Sequence, residues 1–265
     1  MFSSKTLPDI LLDSSGMRII INKVSIMRTT DTSQVVIIIP ALNEEEGIIK
    51  TTLELQEVLA DPVLLLIDGN STDRTVELAK EMNACGRIEV ITQKGSGKGR
   101  AIAQALDYVD PNTHYVVFID ADFTYPAKNI PVMIEILEKN PDIGMVNGNR
   151  FETRFTLDEG NAKNAFYMGN RFLAFVQYIV NGVKLRDPLT GLRVIRREIL
   201  SNWKPQSKGF DIEVELNYLV ERKGYRIFEL PIEYRTRLGD KKLKIIDGLT
   251  ILRRILINAW FNKKR

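Results

Sequence analysis

From Gln34 onward the apolar positions fall into short regular runs, whereas residues 1–33 show no sustained period and read as a peripheral extension. Residues 35–39 are a β-branched run closed by Pro40, the pattern of a strand covered on both faces. Residues 44–60 follow with Ile48, Leu53 and Val58 at helical spacing. Residues 63–67 predict a second buried strand, ended by Asp68-Gly69-Asn70. A helix start is expected at Ser71-Thr72-Asp73, capped by Ser71 or Thr72, with Val76, Leu78, Ala79 and Met82 inside the helix. Residues 88–92, 115–119 and 143–146 complete five apolar strands, and residues 98–109 and 130–139 complete four helices. Continuous apolar strands alternating with helices predict an α/β fold, a mostly parallel central sheet with helices on both faces. Ligands of such sheets sit beyond the carboxyl ends of the strands, so chemistry is expected in the residues just after each strand.

Two later segments have patterns of their own. Residues 166–183 are rich in Phe, Tyr, Met, Leu, Ile and Val, but Asn170, Arg171 and Gln177 interrupt them. The segment is too polar for a membrane span and reads as a core-packing helix or as a lipid-facing one. Residues 247–261 predict an amphipathic helix with Leu249, Leu252, Leu256 and Trp260 on one stripe and Arg254 and Asn258 opposite. Charge sharpens this picture. Residues 235–265 hold ten Lys/Arg against two acids, a net of +8, which leaves −5 on the rest of a chain whose total is +3. A basic end on an acidic body suits an anionic partner such as phosphate, nucleic acid or a lipid surface, and a solvated tail is the plain alternative. Three regions follow: an extension over 1–33, a main domain over 34–234 and a basic segment over 235–265.

Composition removes some classes. At 44% hydrophobic and 27% charged residues the 265-residue chain is ordinary globular material. A lone cysteine, Cys85, excludes an intramolecular disulfide and a multi-cysteine zinc site, and a lone histidine, His114, excludes chemistry that needs two. Both read as ordinary packing and loop residues. No run approaches the roughly 18 apolar residues of a membrane span, and the first residues lack the pattern of a secretory signal. An intracellular, reducing location is therefore expected. Met17 and Met27 offer later starts.

The strand ends collect acids, amides, small residues and a lysine. Strand one leads into Pro40-Ala41-Leu42-Asn43-Glu44, strand two into Asp68-Gly69-Asn70-Ser71-Thr72-Asp73, strand three into Gly95-Ser96-Gly97-Lys98-Gly99 and strand four into Asp120-Ala121-Asp122. Asp120 and Asp122, one residue apart past a buried strand, can approach one divalent cation. Mg²⁺ and Mn²⁺ favour such oxygen ligands; an Asp turn with a helix cap is the structural alternative. Lys98 is followed by Gly99 where a phosphate loop needs Ser or Thr, and no strand leads into GxGxxG, so ATPase and dehydrogenase readings lose ground.

Taken in order, these motifs are similar to those of family 2 glycosyltransferases with the GT-A fold, a Rossmann-like α/β architecture. Gly148-Asn149-Arg150-Phe151, Met168-Gly169-Asn170-Arg171, Asp187-Pro188-Leu189-Thr190-Gly191-Leu192-Arg193, Gly209-Phe210-Asp211-Ile212-Glu213-Val214-Glu215 and Lys241-Lys242-Leu243 resemble the dolichyl-phosphate mannose/glucose synthase branch. The match runs over about residues 34–258. The resemblance implies that Pro40, Ala41, Asn43, Glu44 and Asp68 hold the nucleoside of a sugar nucleotide, with Lys98 near its base or phosphates. Asp120 and Asp122 would carry Mg²⁺ or Mn²⁺. Thr124 stands where the mannose synthases often have Gln, which leaves the third metal ligand open. Arg150 and Arg171 are implied for an acceptor phosphate, and Arg237 and Lys242 for the donor diphosphate or the acceptor; surface solubility is the alternative for each. Asp211 and Glu213 would face the sugar. Asp187 reads as shaping the loop around Pro188.

The expected activity is inverting transfer of a hexose from a GDP-mannose or UDP-glucose type donor to a polyprenyl phosphate. The expected setting is an anionic membrane surface on the cytoplasmic side, with no nucleic-acid partner. A soluble acceptor, such as a phosphoglycerate or a polysaccharide, is the alternative; nucleotidyl transfer is a more distant one. The choice of sugar and nucleotide, and the oligomeric state, stay open.

Overall fold

A computed structural model describes residues 9–12, 18–21, 34–83, 87–151 and 161–262. Cys85 lies outside the described residues. The stretch read as without period contains a hairpin of β1 (Asp9–Leu12) and β2 (Arg18–Ile21), paired antiparallel from Asp9↔Ile21 to Leu12↔Arg18. The main domain begins with β3 (Val35–Ala41), α1 (Glu45–Val58), β4 (Val63–Asp68), α2 (Thr75–Met82), β5 (Arg87–Thr92) and α3 (Lys98–Ala105). It continues with β6 (Tyr115–Phe118), α4 (Ile130–Lys139), β7 (Ile143–Asn149), α5 (Asn161–Asn181), β8 (Arg193–Arg196) and α6 (Arg197–Leu200). It ends with α7 (Ile212–Arg222), β9 (Arg226–Pro231) and α8 (Ile245–Asn262).

The seven strands β3–β9 form one sheet in the order β5-β4-β3-β6-β8-β7-β9. All are parallel except β8, which runs antiparallel between β6 and β7. The parallel sheet covered on both faces is thus as expected, with two more strands than the apolar runs indicated. β8 reads Arg-Val-Ile-Arg and β9 carries Glu229 in its middle, so neither shows a continuous apolar run. Alternate side chains of β3 feed two cores. Ile37 and Ile39 join Ile48 and Leu55 of α1 and Met133 and Leu137 of α4 on one face. Val36 and Ile38 join Ile102 of α3 and Leu216 of α7 on the other.

Some boundaries move. Pro40 does not close β3, which runs on to Ala41, paired with Asp68. Its missing N–H lies on the β6 side, where pairing ends with Ile119 N donating to Ile38 O at 3.2 Å, so the ladder loses nothing. Helix α2 starts at Thr75, and neither Ser71 nor Thr72 caps it; Asp73 Oδ1 accepts the Thr75 N–H at 3.0 Å instead. Ser71 Oγ and the Thr72 N–H are both committed to Asn43 across the rim. Helix α3 ends at Ala105 and finishes in a tighter 3₁₀ turn over Leu106–Tyr108.

The largest surprise is which way α5 and α8 face. On α8, Ile251, Ile255 and Asn258 are buried, while Leu249 and Trp260 are each 66% exposed and Leu256 is 51% exposed. The residues expected opposite the apolar stripe, Arg254 and Asn258, therefore face the protein, and most of the stripe faces out. On α5, Asn170 and Gln177 are buried while Met168, Phe172, Phe175 and Ile179 are exposed. Leu173, Val214, Ile251 and Ile255 form a small core that ties α5, α7 and α8 together. Polar groups on the inner sides have partners there: Gln177 Nε2 donates to Val214 O at 3.0 Å, and Arg254 Nε to Asp211 Oδ2 at 3.2 Å. Among the described residues no helix is long and apolar enough to cross a membrane.

Candidate active site

Parallel strands put the ends of β3, β4, β5, β6, β7 and β9 on one rim, and antiparallel β8 adds the loop that enters it. The chain leaves β3 toward β4 and β5, then returns to its other side with β6, so the crevice between β3 and β6 is the switch point where ligands bind in such sheets.

Local sequence shapes each segment of this rim. Asn43, in the left-handed region at φ 50°, stitches the first two strand ends together: its N–H donates to Ser71 Oγ at 2.9 Å and its Oδ1 accepts the Thr72 N–H at 2.8 Å. Asp68 is buried and accepts from the Asn70 and Ser71 N–H groups at 3.2 and 3.1 Å, so its carboxylate shapes the turn. Pro40 and Ala41 end β3, where Ala41 O accepts the Gly69 N–H at 2.7 Å. After β6 the chain carries Asp120, Ala121 and Asp122 into Phe123, held at φ 64°. Thr51 of α1 anchors that turn, donating to Ala121 O and accepting from the Phe123 N–H, both at 3.1 Å. Gly97 and Gly99 flank Lys98 for a packing reason: a Cβ at either position would lie 2.3 Å from the carbonyl oxygen of Lys208 or Ser207. The Gly-Lys-Gly signal is therefore a close backbone crossing that aims Lys98 into the rim.

Charges alternate across the crevice. Lys98 Nζ bridges Asp120 Oδ1 at 2.7 Å and Glu213 Oε1 at 2.8 Å. Burial works against the ammonium, but Asp120 and Glu213 outweigh it and raise its pKa. Burial likewise opposes ionisation of Asp120, and Lys98 outweighs it, so Asp120 is held below the usual carboxylate range. Arg237 bridges Asp122 and Glu44. Asp122 also accepts from the Thr124 N–H and hydroxyl, at 3.1 and 2.6 Å. Burial, then the neighbouring Asp120, push Asp122 up. Burial lifts Glu44 to about 7 against the pull of Arg237, and Asp122 adds to the rise. Lys242 Nζ donates to Asn43 O at 3.0 Å. Thus Glu44, Lys98, Asp120, Asp122, Glu213, Arg237 and Lys242 come together, from five segments of the chain.

Arg150 stands at the far side of the rim. Its Nε and Nη2 form a bidentate pair with fully buried Asp187, both at 2.7 Å, which leaves Nη1 for a ligand. Two further residues lie apart from this set. Arg171 is exposed on α5, outside this hydrogen-bonded set. Asp211 caps its own loop, accepting the Gly209 N–H at 3.0 Å, and pairs with Arg254, so Glu213 is the acid of that motif that meets Lys98.

Sequence reasoning marked the loop before β8 as a motif but assigned no role to Gly191 or Arg193 within it. The Gly191 N–H donates to Tyr125 OH at 2.7 Å, and a Cβ at Gly191 would lie 2.1 Å from Asp120 Oδ2. Arg193, 1% exposed, holds this loop through Thr190 O, Pro188 O and Asn217 Oδ1 at 2.9, 2.7 and 2.5 Å. Glu229 accepts the Arg186 and Asp187 N–H groups at 2.8 and 2.7 Å, and burial lifts its pKa to about 7. Only the Asp-Pro-Leu-Thr-Gly-Leu-Arg motif itself pointed here.

The profile of the family described as Glycosyl transferase family 2 matches residues 36–203. Glycosyltransferase AglJ of Haloferax volcanii is 33% identical over 77% of this chain and 63% of its own length. A dolichyl-phosphate hexose transferase of the same organism is 27% identical over 86% of this chain and 94% of its own. Among solved structures, glucosyl-3-phosphoglycerate synthase from Mycobacterium tuberculosis, crystallised with Mn²⁺, uridine-diphosphate-glucose and phosphoglyceric acid, has a TM-score of 0.63 at 21% identity. That similarity covers 85% of this chain and 79% of that one. The mostly parallel sheet, the acid pair at its switch point and a profile covering most of the sheet make this chain a member of glycosyl transferase family 2.

Proposed function

We propose that this protein transfers a hexose, with inversion, from a nucleoside-diphosphate sugar to a polyprenyl phosphate at the surface of a membrane, on its cytoplasmic side. The observation that carries the acceptor assignment is the outward apolar face of α5 and α8, with Met168, Phe172, Phe175, Leu249, Leu256 and Trp260 exposed. Lys241 Nζ lies over the Phe166 ring, so the basic strap that carries Arg237 and Lys242 into the crevice also touches α5. A lipid phosphate arriving along this face would meet the rim directly. The dolichyl-phosphate hexose transferase of Haloferax volcanii supports the same acceptor.

The nucleoside belongs to the stitched ends of β3 and β4, where Pro40, Ala41, Asn43, Glu44 and Asp68 lie. The rim fits a divalent cation. Among the described residues, Glu44, Asp120, Asp122 and Glu213 are bridged by two cations, Lys98 and Arg237, and Glu44 Oε2 and Glu213 Oε2 are buried without a partner. Asp120 and Asp122 would hold Mg²⁺ or Mn²⁺. No group of three metal-ligating acids, histidines or cysteines occurs among the described residues, and Thr124 is turned to Asp122, so other positions fall to substrate oxygens and water. When bound, the cation supplies Lewis-acid stabilisation of the leaving diphosphate. Arg237 and Lys242 add positive charge on the same side, and Arg150, braced by Asp187, offers Nη1 to the acceptor phosphate. A phosphate oxygen is already anionic, so the attack needs no strong base; Glu213 is placed to bind sugar hydroxyls.

A second reading has its own support. The glucosyl-3-phosphoglycerate synthase fold suits a soluble phosphorylated acceptor, which the same arginines would hold. A panel of radiolabelled sugar nucleotides, incubated with protein, Mg²⁺ or Mn²⁺ and membrane lipid extract, separates the two. Label in the organic phase identifies donor and lipid acceptor together; label transferred only to a soluble acceptor establishes the second reading.

A further inference from the structure

Behind the crevice, a cleft of about 240 Å³ opens between α7 and α8. Trp203 forms part of its wall, and Lys204, Arg222 and Arg254 line it together with Tyr218 and Asn258. The last two are only 7% and 5% exposed, yet Tyr218 OH and Asn258 Nδ2 have no hydrogen-bond partner. A buried polar group left unpaired forfeits the hydrogen bonds it makes with water, so each is expected to have a use. The one acid in the lining, Glu215, is already committed: its oxygens accept the Gln206 and Ser207 N–H groups at 2.9 and 2.7 Å and lie near Arg254 at 3.8 Å. The lining therefore carries three cations against one acid, together with two unpaired groups that can donate. A neutral ligand would leave that excess of positive charge unmet, whereas a tetrahedral dianion presents enough oxygens for two neutral donors and several cations.

We propose that the α7–α8 cleft is a second binding site for a phosphate monoester, separate from the donor and acceptor sites and independent of how those are assigned. The volume admits the phosphate with a small substituent, which Trp203 would flank. The site is connected to the rim by contact. Arg254 donates to Asp211, the residue that precedes α7 and lies two positions before Glu213, and the Ser207 and Lys208 carbonyls press on Gly97 and Gly99 beside Lys98. Free phosphate compounds and the headgroup of an anionic lipid beside α8 share the required chemistry.

The chain has two tryptophans, Trp203 and Trp260. In a Trp260→Phe background, the fluorescence of Trp203 reports this cleft alone. Titrations at constant ionic strength with inorganic phosphate, with phosphatidic acid vesicles and with phosphatidylcholine vesicles test the site. A saturable change with inorganic phosphate establishes a site for free phosphate; a change with phosphatidic acid only establishes the lipid headgroup as the source. Either response should weaken at least tenfold in Tyr218→Phe/Asn258→Leu, whose fold is checked by its melting curve. No response to either phosphate source, or a midpoint unmoved in the double variant, overturns the proposal.

Discussion

At the scale of single residues the rim is a set of carboxylates held apart by two cations. Asp122 is the most exacting position, because it accepts from Thr124, pairs with Arg237 and adjoins Asp120. Asp122→Asn keeps the shape and removes the charge. Turnover at saturating donor should fall by about 10³-fold or more, the several kcal/mol that loss of leaving-group stabilisation implies. Near-normal turnover would refute the metal assignment. Glu229 makes a prediction about stability. Its pKa rises from 4.5 to about 7 on burial, so between those values the folded state binds the proton that the unfolded state has released. Stability therefore declines as pH rises through this window and levels off above about 7; Glu44 acts in the same direction. The share of Glu229 is about 3 kcal/mol at 1.36 kcal/mol per pKa unit. Denaturant unfolding of wild type and Glu229→Gln at pH 5 and pH 8 should show a decline that is smaller in the variant by about that amount. Equal declines would mean that Glu229 ionises alike in both states.

Among the elements, α5 and α8 stand out because each hides polar residues and shows apolar ones. Burying a large apolar side chain contributes about 1.5–3 kcal/mol, so a face holding Met168, Phe172, Phe175, Leu249 and Trp260 represents much unrealised stabilisation. Basic residues around it add about 1 kcal/mol each near an anionic surface. Liposome sedimentation should show binding that is stronger to anionic than to neutral vesicles and weaker at high salt, since the charge term acts within a Debye length. Leu249→Asp combined with Trp260→Ala should reduce binding at least tenfold without lowering the melting temperature, because both side chains are exposed. Binding indifferent to lipid charge and salt would remove the electrostatic part, and no binding at all would favour the soluble acceptor.

For the whole molecule, the sheet carries the rim and its two cores, and the β1–β2 hairpin precedes it. Residues 1–26 supply none of the rim motifs, so a chain beginning at Met27 should fold and bind a sugar nucleotide as tightly as the full chain, as measured by calorimetry. A folded truncation that binds at least tenfold more weakly would make the segment part of the site. The sequence by itself determined the parallel sheet, the rim and the acid pair. Local runs of Val, Ile and Leu specify buried strands, and parallel topology then places every residue after a strand on one edge. The Asp187-Pro188 pair reads locally as a loop, but the Asp187 carboxylate braces Arg150 from 37 residues away, which that dipeptide does not encode. Tertiary structure alone decided the rest. Arg237 reaches Asp122 across 115 residues, and no local pattern encodes such a pairing. Glu229 and Gln177 find their partners in distant elements, and Arg193 reaches Asn217 of α7 as well as its own loop, so their burial has no apolar signature. Periodicity revealed the stripe on α8 but not its direction: a stripe records which residues share a face, and only the packing of α8 on α5 and α7 decides which face is left to the outside.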